Sequence, residues 1–562
     1  MSQTYAVHIS DVNEVTTQLD SLLNIEILSK EDLVIFLQRQ SRCLQEIEEQ
    51  LLQHYIAFQQ NTNDETAKKV YKFDQKHIQP LVKRYKGLFE QKYYESPFRL
   101  QLDQDYEFLN KRIQNANELF HEQNIELEVT EDELITKYFT ITGNLTVMWD
   151  EAEISFMELR AYFQDEDRNV RQKAMTLLFE ALQSAEDELQ KLLHELIAIR
   201  SKKANNIKLP NYRDYMFKKY ERFDYNEKDC HAFAQSIRDY VIPLEEKFQE
   251  ELRQSIHIDT LRPWDTRATP NNQKPLKPIE HEDELIEKSK IILEKLDDSF
   301  AVLLQKMQDQ DNLDLKSRIG KAPGGFCEYL PFSKQSFIFM TLTNTQDDVV
   351  IFLHEMGHAL HNELMKDITV KQYQQLPMET AELASMTMEL FSMEHWDVFY
   401  DDKEQLKQAK QEQLKQIVGF LPFTLLIDQF QHWLYENPVH SAKERNDKFL
   451  ELAKRYDSSV VNWEGYEAWQ TAQWLHVLHI FEVPFYYIEY AIAQIGALQL
   501  YKQYKKNPKK TLENYKKALS LGSSKSVKEV YETAGITFDF SSETIKDVLS
   551  FVEKELALLL FT

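Results

Sequence analysis

The sequence predicts a mainly α-helical fold with a minor β-sheet, and both composition and periodicity say so. Only 11 Gly and 15 Pro occur among 562 residues, a frequency that favours long helices over turn-rich sheet architectures. Hydrophobic residues make up 43 %, enough apolar material for one large packed interior or several smaller ones. Apolar positions recur at helical spacing over long stretches, whereas β-like runs are few and short.

Taken along the chain, the first strong pattern runs from about Lys30 to Gln60. There Leu33, Phe36, Leu37, Leu44, Ile47, Leu51 and Leu52 fall on one helical side. The segments NLTVMWD (Asn144 to Asp150) and EISFMEL (Glu153 to Leu159) read as short strands or an extended insert. A second long pattern, Asn169 to Arg200, carries Leu177, Leu178, Leu182, Leu189, Leu192, Leu193 and Leu196 and predicts a continuous helix. The polar, Pro-containing stretch from Arg262 to Pro278 reads as a loop rather than a domain linker. Helices resume after Pro278, interrupted by one more β-like run, SFIFMTLT, from Ser336 to Thr343. No internal repeat and no low-complexity tract is visible.

Charge narrows the function. Lys plus Arg number 66 against 92 Asp plus Glu, a net charge of −26. Such a surface repels phosphate backbones and anionic lipid, which argues against nucleic acid and membrane partners. Three dispersed cysteines (Cys43, Cys230, Cys327) form no CxxC pair, as expected in a reducing compartment. The N-terminus MSQTYAVHISDVNEV has neither a basic nor an apolar signal region. No run of eighteen apolar residues occurs. The expectation is a cytoplasmic protein.

The segment TQDDVVIFLHEMGHALHNEL (Thr345 to Leu364) carries the chemistry. Thr345 with Asp348 three residues on resembles a capping box, and Val349 to Leu353 carry an interior helix forward. Within it stands HEMGH, an HExxH motif. His354 and His358 lie one helical turn apart and can converge on one Zn²⁺ ion. Glu355 is placed to reach a water at that ion rather than the ion itself, and a carboxylate there can take the water's proton.

A third ligand is needed. His361 shares the face, but three ligands on one straight helix surround a tetrahedral ion poorly. Better candidates lie in PMETAELASMTMEL (Pro377 to Leu390), where Pro377 suits a helix start and Glu379, Glu382 and Glu389 share a side. One is expected to be a ligand and another to accept a hydrogen bond from a ligand histidine. Spacing alone does not choose among them.

HEMGHALH followed by ETAELASMTMEL resembles the family of thimet oligopeptidase, neurolysin, oligoendopeptidase F and Pz-peptidase, closest to the Pz-peptidase and oligoendopeptidase F branch. KSRIGKAPGGFCEYLP (Lys316 to Pro331), LRPWD (Leu261 to Asp265) and NYRDYMF (Asn211 to Phe217) are similar to that branch too. The resemblance implies Glu382 as the third ligand of a single zinc ion, with Ser385 following it. It also places a histidine and tyrosines of WLHVLHIFEVPFYYIEYAIAQ (Trp474 to Gln494) at the scissile bond. These fall on His479, a polar contact to substrate; Tyr490, the oxyanion donor; and Tyr487, a secondary donor. A further family tyrosine falls on Val483, which has no hydroxyl, so Tyr486 stays open as an alternative donor.

The implied architecture is neurolysin-like: a large helical body split by a deep substrate channel, with a small β-sheet beside the active-site helix. Residues 1–200 would form part of the channel wall and residues 201–562 the catalytic zinc-peptidase region. From the residues themselves, SFIFMTLT is a candidate edge strand to which a peptide backbone adds, with plain packing as the alternative. The Gly320, Gly324 and Gly325 loop is either a close approach for that backbone or a simple turn. The implied activity is a zinc metalloendopeptidase, an oligopeptidase cutting short peptides internally with Glu355 as general base. The rivals are a metallocarboxypeptidase of similar fold, for which no basic residue reserved for a substrate carboxylate stands out, and a catalytically vestigial peptide-binding protein.

Overall fold

The computed structural model describes residues 5–271, 273–322 and 324–560. The first four residues of the N-terminal stretch, Asn272 in the Arg262 to Pro278 loop and Pro323 in the glycine-containing segment lie outside the described residues. The fold is mainly helical with two small sheets among the described residues. Lys30–Gln60 is one helix, opened by Ser29, whose hydroxyl accepts the Asp32 N–H at 3.1 Å. Its apolar side buries Leu33, Phe36, Leu37 and Ile47.

Strands β1 (Thr146–Trp149) and β2 (Ala152–Ser155) pair as an antiparallel hairpin. Their turn residues Asp150 and Glu151 both take positive φ, 45° and 72°, the backbone that matches hairpin twist. The continuous helix expected over Asn169 to Arg200 is instead two, Arg168–Ser184 and Glu186–Asn206. The chain breaks at Ala185, where the Ser184 hydroxyl turns back to the Ala181 carbonyl at 2.7 Å. Glu186, Asp187 and Glu188 then open the second helix with charge that suits an N-terminus. Leucine periodicity runs unbroken across that joint, which is why sequence alone did not reveal it.

The second sheet has three strands, β3 (Leu313–Asp314), β4 (Gly325–Leu330) and β5 (Gln335–Met340), in the order β3-β5-β4. SFIFMTLT supplies β5, which is central rather than at the edge. It pairs with β3 in parallel and with β4 antiparallel, buried from Ser336 to Met340. The outer strands are β3 and β4, and β4 is contributed by the glycine-containing segment.

The chain divides into two compact units. The first comprises Met1–Asn117, Leu276–Leu406 and Gly496–Phe538. In it β4 and β5 pack on helix Gln346–Met365, which lies against helix Met378–Met393. The second comprises Glu118–Pro275, Lys407–Ile495 and Asp539–Thr562. Its interior holds an ion cluster in which Glu131 accepts from Arg200 at 2.6 Å and from Lys203 at 2.8 Å. Arg200 also donates to the Tyr435 hydroxyl and to the carbonyls of Ile480 and Phe481. That buried cation therefore anchors the start of the aromatic segment that follows. Among the described residues, no helix is long and apolar enough to cross a membrane.

Candidate metal centre

Local sequence explains how the HEMGH helix is set. Asp348 accepts the N–H groups of Thr343 and Thr345 at 2.9 and 3.0 Å, closing the turn between β5 and the helix start. Val349, Phe352 and Leu353 then bury the following turn. Helix Met378–Met393 follows Pro377 and is buried at every position from Glu379 to Met393. Its carboxylates therefore sit in the interior, where each needs a partner. Gly357, inside the motif, lets the two helices touch. A Cβ there would stand 2.6 Å from Ser385 Cα and 2.8 Å from the Ala384 carbonyl.

That contact brings His354, His358 and Glu382 together, with one ligand atom of each within 4.8 Å of the others. His354 Nε2 lies 3.4 Å and His358 Nε2 3.9 Å from Glu382 Oε2. Ligands of a tetrahedral zinc ion stand roughly 3.3 Å apart, so this donor set fits one. Ser385 donates to Glu382 Oε2 at 3.0 Å, and Glu389 Oε1 meets His354 Nδ1 at 2.6 Å. The latter contact keeps the proton of a neutral His354 on Nδ1 and turns Nε2 toward Glu382. His361 is buried elsewhere, against Leu519, whose backbone hydrogen-bonds its ring.

The carboxylates and imidazoles of this group shift one another strongly. Burial pushes the Glu355 carboxyl up to about 7, and Glu382 and Glu389 add to the rise against the pull of His354. Burial also raises Glu382. For His354, burial acts downward, but the hydrogen bond and charge of Glu389, then Glu382 and Glu355, outweigh it and lift the ring to about 9. Buried carboxylates crowded beside imidazoles are an environment that suits a divalent ion. Glu355 also faces β4, where after burial it is the main influence raising the Cys327 thiol.

The aromatic residues read from the sequence form their own cluster in the second unit. The His479 ring lies 4.7 Å from Tyr487, 5.6 Å from Tyr486 and 5.8 Å from Tyr490, centroid to centroid. Burial lowers His479 to about 4, keeping it neutral, and raises Tyr487 to about 12 despite Arg160 nearby. The turn that presents these rings holds Phe485 at φ 67°, a conformation costly for a bulky residue. Its N–H is taken by Gln431 Oε1 at 2.8 Å and its carbonyl by the buried Arg222. Neither clamp was read from the sequence, since neither residue belongs to a motif. The role of Gly357 was missed as well, although an unneeded glycine inside an apolar helix is a signal of close packing.

Comparison with known proteins agrees with this architecture. The model of "Peptidase family M3" matches residues 161–548. The structure of Pz peptidase A with an inhibitor superposes with a TM-score of 0.90 over 99 % of this chain and 98 % of that one, at 24 % identity. An oligoendopeptidase F homolog of Borreliella burgdorferi is 22 % identical over 436 residues, 74 % of this chain and 71 % of that protein. One from Mycoplasma genitalium is 24 % identical over 265 residues, 44 % of this chain. The match spans under half, 42 %, of the latter protein's own length. With a family model covering well over half of its residues, this chain belongs to peptidase family M3.

Proposed function

We propose that the protein is a zinc-dependent endopeptidase that hydrolyses internal bonds of short peptides. One observation carries the reading: the donor atoms of His354, His358 and Glu382 converge within 4.8 Å, with Glu355 on the same helix as both histidines. The residues fit a single zinc ion, which when bound would supply Lewis acidity and bring the pKa of water toward neutrality. Glu389 holds the His354 ring in its orientation, and Ser385 holds the Glu382 carboxylate. Glu355 takes the proton of the attacking water on a carboxylate oxygen and delivers it to the leaving amine. We assign the oxyanion donor to Tyr490, a weaker donor role to Tyr487 and a neutral polar contact to His479. The outer strand β4 is assigned to backbone pairing with the peptide, a mode indifferent to side-chain identity. Gly324, at φ 102° with open space around it, permits the turn that starts this strand.

The test pairs metal analysis with kinetics and mass spectrometry of products from a mixture of short peptides. Wild type should carry zinc, cut internally and stop in strong chelator. Glu355→Gln should keep the metal and lose turnover on kcat, while Glu382→Gln should lose the metal itself. Full activity in chelator, equal zinc loss in both variants, or release of single C-terminal residues only would each overturn part of this reading.

A further inference from the structure

A second cluster of ligand-type side chains lies wholly within the second unit and takes no part in the chemistry above. Asp428 and His432 stand one turn apart on helix Lys403–Glu436, with Asp428 Oδ2 3.4 Å from His432 Nε2. Cys230, on helix Glu227–Tyr240, completes a group whose donor atoms all lie within 4.8 Å of one another. All three are buried, with 0 % of Asp428 and 1 % of His432 and Cys230 exposed. Gln429 donates to Asp428 Oδ2 at 3.1 Å. Asp428 Oδ1 and both ring nitrogens of His432 have no hydrogen-bond partner among the described residues. Phe217 and Phe485 wall the His432 ring edge to face at 6.1 and 5.4 Å.

An ordinary buried Asp–His pair would satisfy itself with a well-aligned hydrogen bond through one ring nitrogen. Here neither nitrogen has one, a carboxylate oxygen is orphaned and a thiol adjoins both. Groups of this polarity are costly to bury without a partner. A single divalent cation would satisfy all three at once. We propose that Cys230, Asp428 and His432 form a second metal site, for a borderline transition-metal ion of the zinc type. Thiolate, imidazole and carboxylate at this spacing suit such an ion and not magnesium or calcium, which take oxygen ligands. On binding, the Cys230 thiol releases its proton to solvent, and water completes the tetrahedron. The route in is marked by His231 and Glu436, both exposed, which with His432 make an overlapping group nearer the surface. Glu436 is already paired with Arg213, so the inner group is the resting place. The occupant would brace the Phe485 turn, because Gln431 beside His432 holds the Phe485 N–H.

Cobalt(II) is the probe. The His354 group contains no thiolate, so thiolate-to-cobalt charge-transfer absorption in the near ultraviolet reports the second site alone. This inference therefore stands or falls apart from the proposed peptidase chemistry. The band should saturate by two equivalents in wild type, which offers both sites, and persist in His358→Asn, Cys43→Ser and Cys327→Ser. It should vanish in Cys230→Ser and weaken in apparent affinity by at least ~10-fold in His432→Gln. Zinc should displace it, and zinc-loaded wild type should carry one more equivalent than Cys230→Ser. Circular dichroism checks that each variant is folded. Absence of the band from wild type overturns the proposal even if Cys230→Ser proves unfoldable, and so does a band that survives that substitution.

Discussion

Three phenols surround one neutral imidazole at His479, and their chemistry separates at the level of single atoms. Tyr486 stacks on the His479 ring at 29°, whereas Tyr487 and Tyr490 meet it edge on at 61° and 83°. A donor that acts only once an oxyanion forms stabilises the transition state more than the ground state. Tyr490→Phe keeps the ring and removes the donor, so kcat should fall roughly 10²–10³-fold with KM little changed. Tyr487→Phe should follow the same pattern more weakly, and Tyr486→Phe should be nearly silent. Steady-state kinetics on one fluorogenic peptide, with thermal melts for folding, checks all three. A large loss in Tyr486→Phe beside a near-normal Tyr490→Phe would transfer the donor role to Tyr486.

At the scale of elements, the site depends on two helices meeting without a side chain between them. Gly357→Ala places a methyl 2.6 Å from Ser385 Cα, where backbone cannot yield locally. The helices must part, and overpacking of this kind costs about 1–3 kcal/mol. The variant should melt lower and hold less zinc, because Glu382 and Ser385 move with the displaced helix. Gly87 gives the opposite sign. It lies within helix Gln79–Glu95, and a Cβ there meets nothing within 4 Å. Gly87→Ala should stabilise by about 0.5–1 kcal/mol through helix propensity, with zinc content unchanged. Thermal melts and metal analysis on the two variants separate local packing from a general intolerance of alanine.

For the whole molecule, two carboxylates in the second unit set stability against pH in opposite senses. Burial acts to raise Glu131, but Arg200 and Lys203 outweigh it and hold the carboxyl at about 2, below its ordinary 4.5. Its contribution is present above 4.5 and is lost as pH falls through about 2. Glu245 is the reverse, since burial and then Asp457 and Glu246 push it up to about 8. Between 4.5 and about 8 the folded state keeps a proton that the unfolded chain has released. Stability therefore falls with rising pH across that window, by at most ~1.4 kcal/mol per unit from this group. Glu245→Gln should flatten the decline in melting temperature above pH 4.5 and leave the acid limb unchanged. Glu131→Gln should lower stability at neutral pH by roughly 3–5 kcal/mol, since Arg200 would be left buried with too little charge to face. Denaturant titrations across pH on the variants measure both slopes.

The sequence by itself determined what is local. Low glycine and proline content and helical periodicity specified the fold class, and the hairpin strands were legible from their β-rich runs. The His354–His358 spacing follows from helix geometry alone, because residues four apart share a face whatever surrounds them. Tertiary structure decided what depends on distant parts of the chain. Spacing left Glu379, Glu382 and Glu389 equivalent, and only the approach at Gly357 shows Glu382 facing both histidines and Glu389 behind His354. Strand order moved SFIFMTLT from edge to centre, since pairing is a relation between segments and not a property of one. Cys230 lies about two hundred residues from Asp428 and His432, so no local pattern could join them. Their convergence is a product of packing, because helices bury their polar groups against whatever partner the fold brings within reach.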